Sequence, residues 1–447
     1  MAEPDPALTS IPRTGAISRT RMALLFMVML TTAAGNTAMQ SVMPSIGTEL
    51  GVADVWISLA YTWSALLWVI CAPLWARRSD RRGRKAMMAL GLIGFILSFG
   101  LCGAVLVAGL EGLIGATATL ALFAVARGLY GGFGSAAPPA VQAYVASRTP
   151  RSQRTKALAL VASSFGLGTV LGPAIAPLLI FPGASGLVGP FFIFAGFGVA
   201  VLIALRLRLP DDDPTYAARG QVAAAPFSAS AGSAVPPYAE SDGLTEEIPD
   251  LHWRDRRLRP WLVAGLLGGH AQAALLGLAG FFVLDRLGLR DDPGAGAGPV
   301  GTVLMAGAGA TLLAQWGLIP NLNLGPRTSV LWGMALALVG TACFAFAWDL
   351  HTIALGFAIA SLGFGLYRPG FTAGASLAVT RAEQGQIGGI VASLNGAAYI
   401  LAPALGVWLY NHHEAVGFAA IGGLCAAVLG WGWQALDSDA ALTAERR

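Results

Sequence analysis

Residues 75–88 read WARRSDRRGRKAMM, six basic side chains and one aspartate set between two long apolar runs. So dense a knot of charge is out of place in a chain that is 55% hydrophobic and only 12% charged. A soluble chain carries roughly 25% charged residues, because a water-facing surface needs them. Apolar runs of about 20 residues recur on both sides of the knot, the length at which a helix crosses hydrocarbon with its backbone polar groups satisfied. The composition therefore predicts an all-α, polytopic membrane protein, and the basic stretch is one of its connections.

Gly/Pro punctuation and charged breaks predict twelve transmembrane helices, at 22–46, 55–76, 86–108, 115–145, 155–181, 187–208, 261–285, 298–319, 328–347, 353–379, 386–411 and 415–436. The basic residues test this parse. Of the 28 Lys and Arg, only Arg286 and Arg290 fall on the side opposite the N-terminal tail, and Arg127 and Arg368 lie well inside spans. The positive-inside rule then places both termini in the cytoplasm. The net charge of +4 is a topology signal, and no nucleic-acid partner is expected, since the basic residues sit in short loops. The polar start followed by an apolar run mimics a signal peptide, but its length and the spans behind it predict an uncleaved first helix. Cys71, Cys102, Cys343 and Cys425 fall in apolar runs without a CxxC pair and read as small core residues; no metal or cofactor is expected. The scarcity of lysine beside Arg, Ala and Gly fits a GC-rich bacterial genome.

The domain plan follows: a tail at 1–21, six helices over 22–208, a linker over 209–260, six helices over 261–436 and a second tail at 437–447. The linker is rich in Pro, Ala, Ser and acid, with no apolar face to bury. Its basic end, LHWRDRRLR at 251–259, is expected along the anionic inner leaflet. An internal repeat supports the division. SSFGLGTVLGPAIAPLL in the fifth span aligns with SLNGAAYILAPALGVWL in the eleventh, setting Pro173 on Pro403. The fourth and tenth spans echo each other too, each placing one arginine, Arg127 or Arg368, in a Gly-rich helix. Two related halves of six helices are a plan used by secondary transporters, with the substrate site between them near the bilayer midplane.

Over nearly its full length the chain resembles the major facilitator superfamily, in its bacterial twelve-helix drug:proton antiporter type. Asp80, Arg81, Arg82, Gly83, Arg84 and Lys85 match the last six positions of the family's loop signature G-x-L-a-D-R-x-G-R-K, while Ala76 and Arg78 replace its Gly and Leu. Arg127 and Gly131 match the R-x-x-x-G pattern of the fourth span. Gly168, Gly172 and Pro173 match most of the antiporter pattern G-x-x-x-G-P-x-x-G, with Ala176 at its last position. The same small residues and proline also suit close helix packing and a bend. RSQRTKALALV and RAEQGQIGG, ahead of the fifth and eleventh spans, look like the same segments of exporters such as those for tetracycline.

The resemblance implies two pseudo-symmetric six-helix bundles in a bacterial inner membrane, working as a monomer by alternating access. It implies export of a small amphipathic molecule in exchange for protons. An importer of a siderophore, peptide fragment or organic acid on the same fold is the alternative. A membrane-embedded enzyme is disfavoured, because no His/Asp/Glu cluster or nucleophile lies at depth. The resemblance also sets Asp80 against the N-terminus of the eleventh span. Free N–H groups and about half a positive charge stabilise a carboxylate there. Asp80 would latch the cytoplasmic side, with Arg81 and Arg84 ordering the turn.

None of the 24 acidic residues falls deep in a predicted span. Many proton-coupled relatives carry a carboxylate in the first or fourth span, where this chain has Asn36, Gln40 and Arg127. His270, alone among the histidines, lies within a span, the repeat counterpart of the first. Asn36 and Gln40 would thus face His270 and Gln272. A histidine titrating near neutrality can carry a proton, and it can equally hold a backbone carbonyl without titrating. Asp285 is the second candidate for the proton. If Arg127 and Arg368 both point to the central cavity, they suit an anionic or zwitterionic substrate. Tyr367 and Asn395 are further candidates for the cavity lining.

Overall fold

The computed structural model describes residues 17–149, 151–210, 254–379 and 384–444. Most of the predicted N-terminal tail and linker therefore lies outside the described residues. The first half holds α1 (Arg19–Glu49), α2 (Asp54–Arg82), α3 (Arg84–Leu110), α4 (Ala116–Gly132), α5 (Ala137–Arg148), α6 (Arg151–Ile175) and α7 (Gly189–Arg208). A single 3-10 turn at Gly134–Ala136 joins α4 to α5 within one predicted span. The second half holds α8 (Arg259–Arg286), α9 (Pro293–Leu312), α10 (Ile319–Leu322), α11 (Pro326–Ala345), α12 (Leu350–Leu377), α13 (Gln384–His412), α14 (Glu414–Ala435) and α15 (Asp439–Ala444). A π turn, Leu313–Leu318, carries α9 into α10.

Every predicted span is helical, and among the described residues ten helices are long and apolar enough to cross a membrane. In the fifth predicted span the described residues add a shorter apolar stretch, Ser163–Leu179. α13, in the eleventh, is outside that count.

The basic stretch at 75–88 spans the joint between α2 and α3. Gly83 makes the turn alone, at φ 87° and ψ 146°, where a side chain would be strained. Arg84 is buried just beyond it. The side chains of Asp80 and Arg81 lie outside the described residues. Trp75 ties this end of α2 to α4, its indole N–H donating to Gly132 O at 2.5 Å.

Small residues bring the first-half helices into backbone contact. A Cβ on Gly172 would lie 2.2 Å from Thr37 Oγ1 and 2.3 Å from Ala34 O, so α6 can seat on α1 only with glycine there. A Cβ on Gly168 would meet Leu30 O at 2.8 Å. The packing reading of the Gly168–Gly172 motif thus has a direct structural counterpart. Gly131 does the same for α4 on α2, where a Cβ would sit 2.3 Å from Ser64 O. The C-terminal segment is anchored as well: Asp439, at the start of α15, accepts from the Arg327 and Thr328 backbone N–H groups at 2.8 and 3.1 Å. A carboxylate at the first turn of α11 satisfies donors the helix leaves open.

The two halves meet along α1, α2 and α6 on one side and α8, α9 and α13 on the other. Pro44 of α1 packs where a Cβ on Gly280 of α8 would be 2.5 Å away, and Pro173 and Pro177 crowd Gly301 of α9. These contacts lie toward the end of the molecule that carries Arg290, opposite Gly83.

Candidate functional site

Between the halves lies a chamber of two adjoining compartments that share Gln40, Leu276 and Leu304. The first is bounded by Thr37 and Gln40 of α1, Thr169 and Pro173 of α6, Gln272 of α8, Gly307 and Thr311 of α9, and Phe357, Ser361 and Phe364 of α12. The second is bounded by Pro44, Ser58, Tyr61, Phe281, Tyr399 and Pro403, among others. The proline pair that aligned the repeat thus contributes one wall to each compartment. Helices α1 and α8 run through both.

The hydroxyls of the threonines are already engaged. Thr37 Oγ1 donates to Ala33 O at 3.0 Å, Thr311 Oγ1 to Gly307 O at 3.0 Å and Thr169 Oγ1 to Gly166 O at 2.7 Å. Such i−4 and i−3 bonds satisfy a hydroxyl within its own helix. Gln40 and Gln272 are half-buried at the chamber wall.

Neither predicted cavity arginine is part of this lining. Arg127 is fully buried inside the first half, where it donates to Asn36 Oδ1 and lies over the Tyr130 ring at 4.5 Å and the Phe99 ring at 5.7 Å. Burial of a guanidinium is tolerable only with partners, and aromatic faces supply part of that. Arg368 is 3% exposed and lies 5.9 Å from the ring of Tyr399, which stands between it and the second compartment. Asn36 belongs to Arg127 rather than to the chamber. Tyr367 is a tie between helices: buried on α12, it donates to Ala264 O and Gly265 O of α8 at 3.0 and 2.8 Å. Asn395 is half-buried on α13, outside both linings.

His270 is half-buried with Nδ1 2.7 Å from Leu266 O. A carbonyl oxygen can only accept, so Nδ1 carries the proton and Nε2 is the nitrogen left to gain one. The ring is not among the chamber's bounding residues.

Asp285 sits in a charged bridge that the sequence did not foretell. Arg290, in the connection from α8 to α9, donates to Asp54 through Nη1 and Nη2, each at 2.8 Å. Its Nε and Nη2 donate to Asp285 at 2.6 and 3.1 Å, and Tyr410 of α13 donates to the same carboxylate at 2.7 Å. Nη1 also reaches Thr48 of α1 at 3.3 Å. One guanidinium thereby fastens the start of α2 in the first half to α8 and α13 in the second. Donation to Asp54 first, and to Asp285 after it, raises the Arg290 guanidinium above its ordinary range despite partial burial. Asp54 is the first residue of α2, where the helix N-terminus favours negative charge. Beside this bridge, Arg286 pairs with Glu414 and reaches Ala345 O at 3.1 Å. Asp54 and Arg290 are 236 residues apart, so no local spacing announced that pair.

Membrane-crossing helices around a chamber between two halves, bridged by charge toward one end, define a membrane transporter. The family model for the Major Facilitator Superfamily matches residues 25–322, and the chain belongs to that family. It is 25% identical to the class B tetracycline resistance protein of Escherichia coli, over 78% of this chain and 77% of that protein. It is 30% identical to Multidrug resistance protein 1 of Bacillus subtilis over 39% of its own length; the chain spans only 41% of that relative. The fold matches a bacterial homologue of the human lysosomal transporter Spinster in an inward-facing, unoccupied conformation, with TM-score 0.65, 14% identity and coverage of 97% of this chain and 95% of that one.

Proposed function

We propose that the chain is a proton-coupled exporter of small amphipathic molecules, working by alternating access between bundles 22–208 and 261–436 of a twelve-helix membrane domain. The observation that carries this reading is the chamber, which lies between the halves and mixes carboxamides with aromatic and aliphatic walls. Such a lining suits a molecule at home in both water and lipid. The resistance proteins among its relatives favour export over import.

In this reading the monomer lies in a bacterial inner membrane with both termini cytoplasmic, as the arginine distribution favours. The Gly83 end then faces the cytoplasm and the Arg290 bridge faces outward. Asp80 latches the inner side, with Arg81, Gly83, Arg84 and Lys85 shaping its turn. His270 takes a proton at Nε2, and Asp285 becomes available to protons when Arg290 lets go. Gly168, Gly172 and Pro173, with Pro403 opposite, shape the helices that rock.

Reconstituted vesicles with an imposed pH gradient test the proposal, using tetracycline as probe and a pH-sensitive dye. Opposed movement of tetracycline and protons is expected. Movement of both in one direction would establish the importer instead.

A further inference from the structure

The two compartments are bounded by 24 different residues, and none of them is Asp, Glu, Lys, Arg or His. A permanently charged ligand entering this space would leave its hydration shell and meet no counter-charge, which is costly in a low dielectric. Two fixed positive charges stand one layer back, Arg368 behind Tyr399 and Arg127 within the first half. Among the described residues the acidic side chains of the spans, Asp54 and Asp285 among them, sit at the span ends, where these two are paired with Arg290. A cation would therefore be repelled as well as desolvated. An anion would be attracted, but neither guanidinium belongs to the wall it would touch.

What the wall does offer is hydrogen bonding by neutral groups. With the threonine hydroxyls engaged on their own helices, the carboxamides of Gln40 and Gln272 are available: among the described residues neither meets a partner, and both face the first compartment. They project from α1 and α8, one in each half. Each amide presents both donors and an acceptor. Phe357 and Phe364 supply the apolar face alongside.

We infer that this chamber selects uncharged amphipathic molecules bearing hydroxyl or carbonyl groups, and that Gln40 and Gln272 are the residues that read them. The inference rests on the transporter reading of the chamber, but it concerns binding and stands whichever way the substrate moves. The test is equilibrium dialysis on the purified full chain with three probes on one ring system: 2-naphthalenemethanol, 2-naphthoate and trimethyl(2-naphthyl)ammonium. The alcohol is expected to bind at least tenfold more tightly than either ion. Gln40→Leu with Gln272→Leu should weaken it about tenfold while leaving the protein monodisperse. Gln272→Glu should admit the ammonium probe, a gain that misfolding cannot imitate. Equal or tighter binding of either ion overturns the inference, as does absent alcohol binding or unchanged affinity in the leucine variant. A failure of export alone, seen in the vesicle assay, would leave these binding ratios standing.

Discussion

Each half carries one arginine in its Gly-rich fourth span, yet the two halves secure the surrounding helices by different means. In the first half, Arg127 of α4 is bound to a side chain of α1, Asn36. In the second, the link from α12 to α8 is made by the neighbouring Tyr367, which donates to backbone carbonyls and leaves Arg368 turned toward Tyr399 of α13. The closeness of packing differs too. Gly172 of α6 aligns with Ala402 of α13, so the second half accepts a methyl group where the first has room for none. A repeat thus preserves which helices touch while leaving each half to choose its own bonds.

The largest break in this comparison should come from Gly172→Ala. Its Cβ would press on Ala34 O, a backbone atom that cannot swing aside, and overpacking of this kind costs about 3 kcal/mol. Thermal unfolding of the detergent-purified protein should show a large loss, whereas Ala402→Gly should cost about 1 kcal/mol. Asn36→Leu comes next, because it strips a hydrogen bond from a fully buried guanidinium; about 2 kcal/mol is expected from the same melts. Tyr367→Phe removes one hydroxyl shared between two carbonyls and should cost about 1 kcal/mol, since both acceptors keep their helical partners. Equal losses for Asn36→Leu and Tyr367→Phe would erase the distinction between the halves.

The smallest effect concerns how the two arginine helices begin. α12 opens on a capping box, with Asp349 accepting from the Thr352 N–H at 2.8 Å, while α4 opens on Gly115 with no side-chain cap. The Thr352 backbone N–H, then its hydroxyl, hold the Asp349 carboxyl below its ordinary value of 3.8. A carboxyl lowered on folding stabilises above that ordinary value, and its contribution is lost as pH falls through the folded value. Acidification below about pH 3.8 should therefore reduce amide-exchange protection at 350–353 and leave 116–119 unchanged.

Much of this fold was legible because hydrophobic length and Gly/Pro punctuation are local properties, and each predicted span carries helix. Gly83 and Gly172 were legible for the same reason: a one-residue turn and a backbone contact both demand glycine, whatever lies opposite. Side-chain destinations were not. Arg127, Arg368 and Tyr367 read as cavity groups because polar residues in spans are costly without partners, but the partners were Asn36, Tyr399 and two carbonyls of α8. The sequence could place Asp54 and Asp285 at the same end of the molecule. That Arg290 would join them depended on how the halves close, which no spacing encodes. Gln40 and Gln272 were the cavity candidates that the structure brings to one wall.

The π turn at Leu313–Leu318 has a consequence for chain length. An i→i+5 turn accommodates one residue more than the α turn it interrupts. Deleting a single residue there would let the helix close to its ordinary pitch while the segments before and after keep their faces. Elsewhere in a span the same deletion would rotate everything downstream by about a quarter turn. The eighth span thus carries one residue of slack, and it lies on the side of the chamber that leads toward Gly83.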